Sequence, residues 1–311
     1  MAQGTTTRFD YVALAAVSGF VVLLYGMVAG ARLVGHETRA PGALAPAVER
    51  PLGRAATVPR AEAAHGDLGS AGESPAILVE QVPSDLLQIA SPAERKHLFI
   101  KLALPLIATI NARIMAERRR ILALKARSRR GIRALSPRER GWLVRLHERY
   151  GLERYDLDAL LARIDVVPPS LALAQAAEES GWGTSRFVRE GNALFGQRTF
   201  KKGQGLVPLA RDPGAIHEVR TFERLLDSVA SYAFNLNTHP AYAEFRRLRA
   251  LQRRTVGVLD GYALARTLSR YSERGQAYVR TIRTIIRANA LVAFDRVGTG
   301  EITLSRREPS I

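Results

Sequence analysis

SLALAQAAEESGWGTSRFVREGNALFG, from Ser170 to Gly196, is the stretch around which the rest of the chain arranges itself. Leu171 to Ser180 reads as a helix. The prolines Pro168 and Pro169 interrupt the chain before it, and Gly181 stops it. Ala172, Ala174, Ala176 and Ala177 keep its surface small, as a helix buried between others requires. Gln175 and Glu179 are four residues apart and share a face. Glu178 lies ~100° round the helix from Glu179, so the two carboxylates cannot both look into one groove.

Glu179 falls in the last helical turn, where the negative end of the helix dipole disfavours its ionised form. Trp182 follows closely and would desolvate it. Both effects raise a carboxyl pKa. A carboxylic acid that keeps its proton near neutral pH is what protonates a leaving glycosidic oxygen, as the glutamate set against a tryptophan does in lysozyme.

Elsewhere the pattern is mostly helical. Ser91-Pro92-Ala93-Glu94 is a helix start, with serine at the cap, proline first and glutamate third. The helix is expected to reach about Arg130, with a kink or break at Pro105. Its apolar stripe is Leu98, Leu102, Leu106, Ile110, Ile114, Ile121 and Leu124. Ser136-Pro137-Arg138-Glu139 repeats the start signal, for a helix to about Tyr150. Asp156 caps a short helix at 157–164. Two extended runs, Gly205 to Ala210 and Ile216 to Phe222, flank Asp212-Pro213-Gly214 and predict one β-hairpin. Helices are expected from Leu225 to Leu236, and at 240–252, 259–271 and 275–293. The fold class is mainly α, with one small hairpin lobe and an N-terminal helical support.

The chain has 311 residues and no cysteine, which excludes a disulfide frame, thiolate metal sites and a cysteine nucleophile. His217 and His239 have no metal-ligand spacing, so no metal or other cofactor is expected. The net charge is +17, and Arg113 to Arg149 alone holds 13 basic and 3 acidic residues. Such charge favours anionic partners. The stretch lacks the interleaved aromatics and motifs of nucleic-acid binders, so no nucleic acid is expected.

The N-terminal 21 residues from Tyr11 to Ala31 carry no charge and are long enough, at ~1.5 Å per residue, to cross a bilayer. Residues 1–36 therefore read as an anchor or signal segment. Residues 37–90, with six prolines, five glycines and no aromatic, read as a disordered linker. Residues 91–165 read as the helical support, 166–296 as the main domain and 297–311 as a tail.

The run LAQAAEESGWGTSRF, followed by GNALFG, resembles the glucosaminidase family, glycoside hydrolase family seventy-three. The matching residues are Ala174, Gln175, Glu179, Ser180, Gly181, Trp182 and Gly183, then Asn192, Phe195 and Gly196. The KKGQGLVPLARDPGAIHEV and NTHPAY stretches add to the likeness, which covers roughly Ser91 to Asn289. The resemblance implies a lysozyme-like α+β fold and an endo-β-N-acetylglucosaminidase that cleaves β-1,4 bonds in peptidoglycan, with Glu179 as general acid. It also implies a second acid in the hairpin lobe, often on its first strand. Leu206 to Ala210 contains none; the acids available in the lobe are Asp212 in the turn and Glu218 on the second strand, of which Glu218 is favoured, with substrate-assisted chemistry or an inactive wall-binding scaffold as alternatives. Tyr232, in Ser228-x-x-x-Tyr232, resembles a cleft tyrosine of the family. Gln175, Trp182, Asn192 and Phe195 are the other candidate substrate-binding residues. The expected partners are glycan strands and, through the N-terminal segment, the inner membrane, with the domain facing the periplasm.

Overall fold

The computed structural model describes residues 78–129, 131–209 and 216–296. The expected anchor at 1–36, the linker up to residue 77, the turn Asp212-Pro213-Gly214 and the tail at 297–311 lie outside the described residues.

Helix α1 (Pro92–Ser128) starts where Ser91 accepts a hydrogen bond from the Glu94 amide at 3.3 Å. Pro105 does not break it: the helix runs unbroken for 37 residues. Its buried stripe includes Leu106, Ile110, Ile121 and Leu124 of the expected one but differs at its start. Leu98 is 37% exposed, whereas Phe99 is fully buried and is followed inward by Ala103, Leu106, Ile107 and Ile110. Among the described residues α1 alone is long and apolar enough to span a membrane, but its apolar residues are largely spent on the core.

The helical support consists of α2 (Pro137–Arg149) and α3 (Leu157–Arg163) folded against the distal half of α1. At α2 the Ser136 hydroxyl accepts from the Glu139 amide while the Glu139 carboxylate accepts from the Ser136 amide, a complete capping box. Ile121, Leu124, Leu143, Leu146, Leu160 and Ile164 form a small core of their own here. This packing uses up part of the basic stretch. Lys125 pairs with Asp158, Arg127 with Glu139 at 2.5 Å, and Arg120 lies 4.1 Å from the centroid of Trp142.

The main core surrounds α4 (Pro169–Ser180), which packs against α1, against α9 (Gln276–Ala288) and against a 3-10 turn at Leu291–Asp295. Every residue of α4 from Pro169 to Ala177 is buried. Each fully buried leucine such as Leu171 and Leu173 contributes about 1.5–3 kcal/mol. The alanines between them contribute proximity. Pro168 cannot cap the helix, and Asp295 does so from 125 residues away, accepting from the Ser170 amide at 2.8 Å and its hydroxyl at 2.7 Å.

The chain then forms α5 (Arg186–Gly191), a helix the apolar pattern did not announce because it is short and only Val188 and Gly191 are buried. The lobe that follows contains the expected hairpin, widened by a third short strand into an antiparallel sheet. Its strands are β1 (Arg198–Thr199), β2 (Gly205–Leu206) and β3 (Glu218–Arg220), with β3 in the middle. Strand β1 is too short to carry an alternating pattern. Helix α6 (Leu225–Thr238) follows as expected, and then α7 (Ala243–Thr255). The single helix expected at 259–271 is instead α8 (Gly261–Leu264) and a 3-10 turn, Ala265–Thr267. Residues 78–90, expected as the linker's end, are not a free linker. Ser84–Leu87 is a 3-10 turn whose Leu86 is 4% exposed, and the Leu225 amide donates to the Glu80 carbonyl at 2.9 Å.

Support and main core are joined by charge. Asp165, buried between α3 and α4, accepts from Arg253 of α7 at 2.6 Å and lies 3.8 Å from Arg118 of α1. Arg249, fully buried, donates to the carbonyls of Ala162, Arg163, Asp165 and Val166, capping the C-terminal end of α3. Burial alone would raise the Asp165 carboxyl, but the hydrogen bond from Arg253 and the nearby guanidiniums outweigh it and hold it below the ordinary range. Asp165→Ala, which strands these guanidiniums in the interior, is expected to cost about 3–5 kcal/mol in urea unfolding. The stability that Asp165 supplies is present above its unfolded pKa of about 3.9 and is lost as pH falls through the lower folded value. Acid melts of wild type are therefore expected to be steeper than those of the alanine variant.

Candidate active site

The last turn of α4 and the loop at Asn192–Gly196 build the site. Gly181 takes the left-handed conformation, φ 57°, that ends α4. The Ser180 hydroxyl donates back to the Ala176 carbonyl at 2.6 Å and accepts from the Gly183 amide at 2.9 Å, tightening the turn directly after Glu179. At the end of α5, Asn192 adopts φ 52°, which asparagine tolerates better than most residues. Its amide donates to the carbonyls of Phe222 and Glu223 at 3.1 and 3.0 Å. The Leu194 amide donates to the Ser228 hydroxyl at 3.1 Å, tying the loop to α6. The loop then passes over Glu179. Gly196 has φ 55°, and a Cβ there would stand 3.2 Å from Glu179 Oε2, so the position admits no larger residue without crowding the carboxyl.

Burial pushes the Glu179 carboxyl up to about 7. The nearby hydroxyl of Tyr278 on α9 pulls the other way. Glu178 adds a small upward push, and Arg274 a small downward one. Those two are paired with each other at 2.5 Å on the neighbouring face, where the helical spacing placed Glu178.

Behind Glu179 lies a layer of buried polar and aromatic groups. Tyr232 of α6 donates to Gln175 Oε1 at 2.7 Å, and Gln175 Nε2 donates to Tyr278 Oη at 2.9 Å. Phe195 stacks on Tyr232 with centroids 3.8 Å apart and planes 6° apart. Gln175, Tyr232, Phe195 and Asn192 are all buried. Trp182 faces α1: its ring meets Phe99 edge-on at 5.7 Å, and Lys96 sits 5.2 Å from its centroid.

Glu218 is buried in the central strand β3, and its two carboxylate oxygens accept from the amides of Gly203 and Gly205 at 3.0 and 2.9 Å. It ties the β1–β2 loop to the sheet. The residue that sequence reasoning missed is Tyr278. Its only signal was an aromatic on the inner face of a helix, which any core tyrosine shares.

A family model described as mannosyl-glycoprotein endo-beta-N-acetylglucosaminidase, the glucosaminidase domain, matches residues 157–291. Protein bax of Escherichia coli strain K12 is 34% identical over 200 residues, covering 62% of this chain and 69% of that one. The chain belongs to the glucosaminidase family. No solved structure matches. The match begins at α3 and ends at Leu291, so it takes in Glu179, the Asn192–Gly196 loop and Tyr278 and omits most of the support. The mainly α architecture with a small antiparallel lobe agrees with the lysozyme-like fold that the resemblance implied.

A buried carboxyl whose folded pKa is raised contributes most below its unfolded value, about 4.3, and that contribution is lost as pH rises through about 7. Glu179→Gln removes the titration with little change of shape. Its Tm is expected to exceed that of wild type by a margin that grows from pH 5 to 8 and then levels, measured by calorimetry.

Proposed function

We propose that this glucosaminidase-family protein hydrolyses the β-1,4 bond beside N-acetylglucosamine in peptidoglycan, with Glu179 as general acid. The observation that carries the reading is the mostly buried Glu179 at the end of α4, held near a pKa of about 7 under the Gly196 loop. A carboxyl so placed is protonated in a large fraction of molecules at neutral pH and passes its proton to the glycosidic oxygen as the C–O bond breaks. Loss of Glu179 as a donor is expected to cost orders of magnitude in rate. Reducing-sugar release from purified sacculi tests this. Glu179→Gln is expected to fall by about 10²–10⁴-fold while remaining folded. Equal release by both proteins overturns the assignment. Activity of wild type is expected to decline as pH rises through about 7.

Glu218 was the sequence candidate for the second carboxylate. Its two amide hydrogen bonds leave it poorly placed as nucleophile or base, and they favour attack by the sugar's own acetamide, a recorded departure from the two-carboxylate scheme. The same observation supports the second reading, a wall-binding scaffold without turnover. Retention of Glu218→Gln activity and inhibition by a thiazoline analogue of N-acetylglucosamine would favour the acetamide route. Binding to sacculi with no release by wild type would favour the scaffold.

Gln175, Asn192, Phe195 and Tyr232 are proposed to shape and support the site from behind, and Trp182 to anchor the α4 turn on α1. Tyr11 to Ala31 is proposed as a single-pass anchor in the inner membrane that presents the domain to the periplasm. Membrane fractions are expected to retain the full chain and release a chain lacking residues 1–36.

A further inference from the structure

Ser180, the residue after Glu179, leads into three successive residues with left-handed backbone. Gly181 has φ 57°, Trp182 58° and Gly183 83°. Glycine takes such angles freely. Tryptophan does not, and it stays there only where its surroundings hold it. The Gly183 amide donates to the Ser180 hydroxyl at 2.9 Å, and the Ser185 amide donates to the Ser180 carbonyl at 2.8 Å. A shift at Gly183 therefore reaches Ser180 directly, and Glu179 is the next residue along the backbone.

The groups that hold this turn come from much earlier in the chain. Leu86, 4% exposed, packs on Gly183 so closely that a Cβ added to the glycine would stand 2.6 Å from Leu86 Cδ2 and 3.1 Å from the Phe99 ring. The Trp182 ring meets the same Phe99 edge-on. Leu86 and Phe99 both precede residue 157, so the wedge under the turn lies outside the matched family domain. Leu86 belongs to the 3-10 turn Ser84–Leu87, and the segment that carries it is fixed at a second place. Helix α6 has no side-chain cap at Arg224, and the Glu80 carbonyl accepts from the amide of its first residue, Leu225, at 2.9 Å. Through Ser228 the same helix holds the Leu194 amide of the loop beside Glu179. Residues 78–90 thus grip both elements that build the site, while Leu78 and Val82 pack on the main core.

We propose that residues 78–90 are a strap that sets the active site, with Leu86 a positioning residue that acts through Gly183 on Glu179. The inference rests on the reading of Glu179 as general acid. With the strap docked, Gly183 is backed by Leu86 and Phe99, the turn stays left-handed, and the carboxyl keeps its place beside Gly196. With Leu86 truncated, space opens beneath Gly183, Trp182 leaves its unfavourable backbone angle, and the carboxyl moves off the position from which it meets the glycosidic oxygen. A displacement of about 1 Å is enough to lower a rate by about 10²-fold. Leu86 lies behind the turn rather than against the sugar in this reading, so the loss falls on kcat and not on KM.

The test uses the full chain carrying Trp142→Phe, which leaves Trp182 as its one tryptophan. Leu86→Ala is compared with Leu143→Ala, which opens a cavity of the same kind in the core of the support. Both are expected to lower Tm. Only Leu86→Ala is expected to red-shift Trp182 emission and raise its quenching by acrylamide, at a temperature where circular dichroism shows both variants folded. Only Leu86→Ala is expected to lower kcat for sugar release from soluble glycan strands, by about tenfold or more, with KM nearly unchanged. Leu86→Met keeps the volume and is expected to behave as leucine does. Equal Trp182 signals in the two alanine variants, full kcat in Leu86→Ala, or a loss in Leu86→Met as large as in Leu86→Ala would overturn the strap. The fluorescence needs no turnover. A Trp182 shift in Leu86→Ala, with no sugar released by the leucine-bearing chain, keeps the coupling of strap to turn and removes the glycosidase reading. Glu179-dependent release that is as fast in Leu86→Ala does the reverse. If Leu86→Ala does not fold, the milder Leu86→Val carries the same sign.

Discussion

A helix buried along nearly its whole length cannot satisfy its own ends. That constraint governs this structure. Pro168 and Pro169 at the start of α4 offer no side-chain cap, and the Asp295 carboxylate from the far end of the domain supplies it. At the other end, Gly181 reverses the chain and Ser180 ties the turn. Between them the alanines let α1 and α9 close in. The carboxyl that emerges on the last turn is therefore only partly exposed, close to a helix C-terminus and beside Gly196, where an added Cβ would stand 3.2 Å from it.

The price of that arrangement is a group whose charged form is disfavoured at neutral pH. Proteins tend to keep such groups where chemistry uses them. Here the surroundings do more than exclude water. Tyr278 opposes the desolvation of Glu179, and Gln175 and Tyr232 stand behind it in a layer that is itself fully hydrogen-bonded through those three side chains. By contrast, Glu218 has both oxygens occupied by backbone amides of the loop it holds. One carboxyl keeps a raised pKa and the other accepts two backbone amides, although the two look alike on paper.

The support helices show the same competition between surface and interior. The dense positive charge from Arg113 to Arg149 looked like a face for an anionic partner. Part of it is internal wiring: Arg118 donates to the Ile164 carbonyl at 2.8 Å, and Arg120, Lys125 and Arg127 meet Trp142, Asp158 and Glu139. Charge counted along a chain does not reveal which guanidiniums find carbonyls. The arginines around Asp165 join support to core with an energy that comes from burial and pairing together, which is why neither half could be read alone.

Local chemistry was legible wherever it decided the outcome. Serine–proline starts, the Gly181 stop, the spacing of Gln175 and Glu179, and the apolar face of α6 act within one or two helical turns, and a sequence carries them directly. The continuity of α1 through Pro105, the third strand at 198–199 and the short α5 depended on what packed against them. So did the dry layer behind Glu179. Sequence alone determined that a carboxyl would end a small-residue helix. Tertiary structure decided that Tyr278, 99 positions later, would meet it and that Trp182 would turn toward α1, because hydrogen-bond direction and burial are properties of neighbours that the chain brings together only on folding.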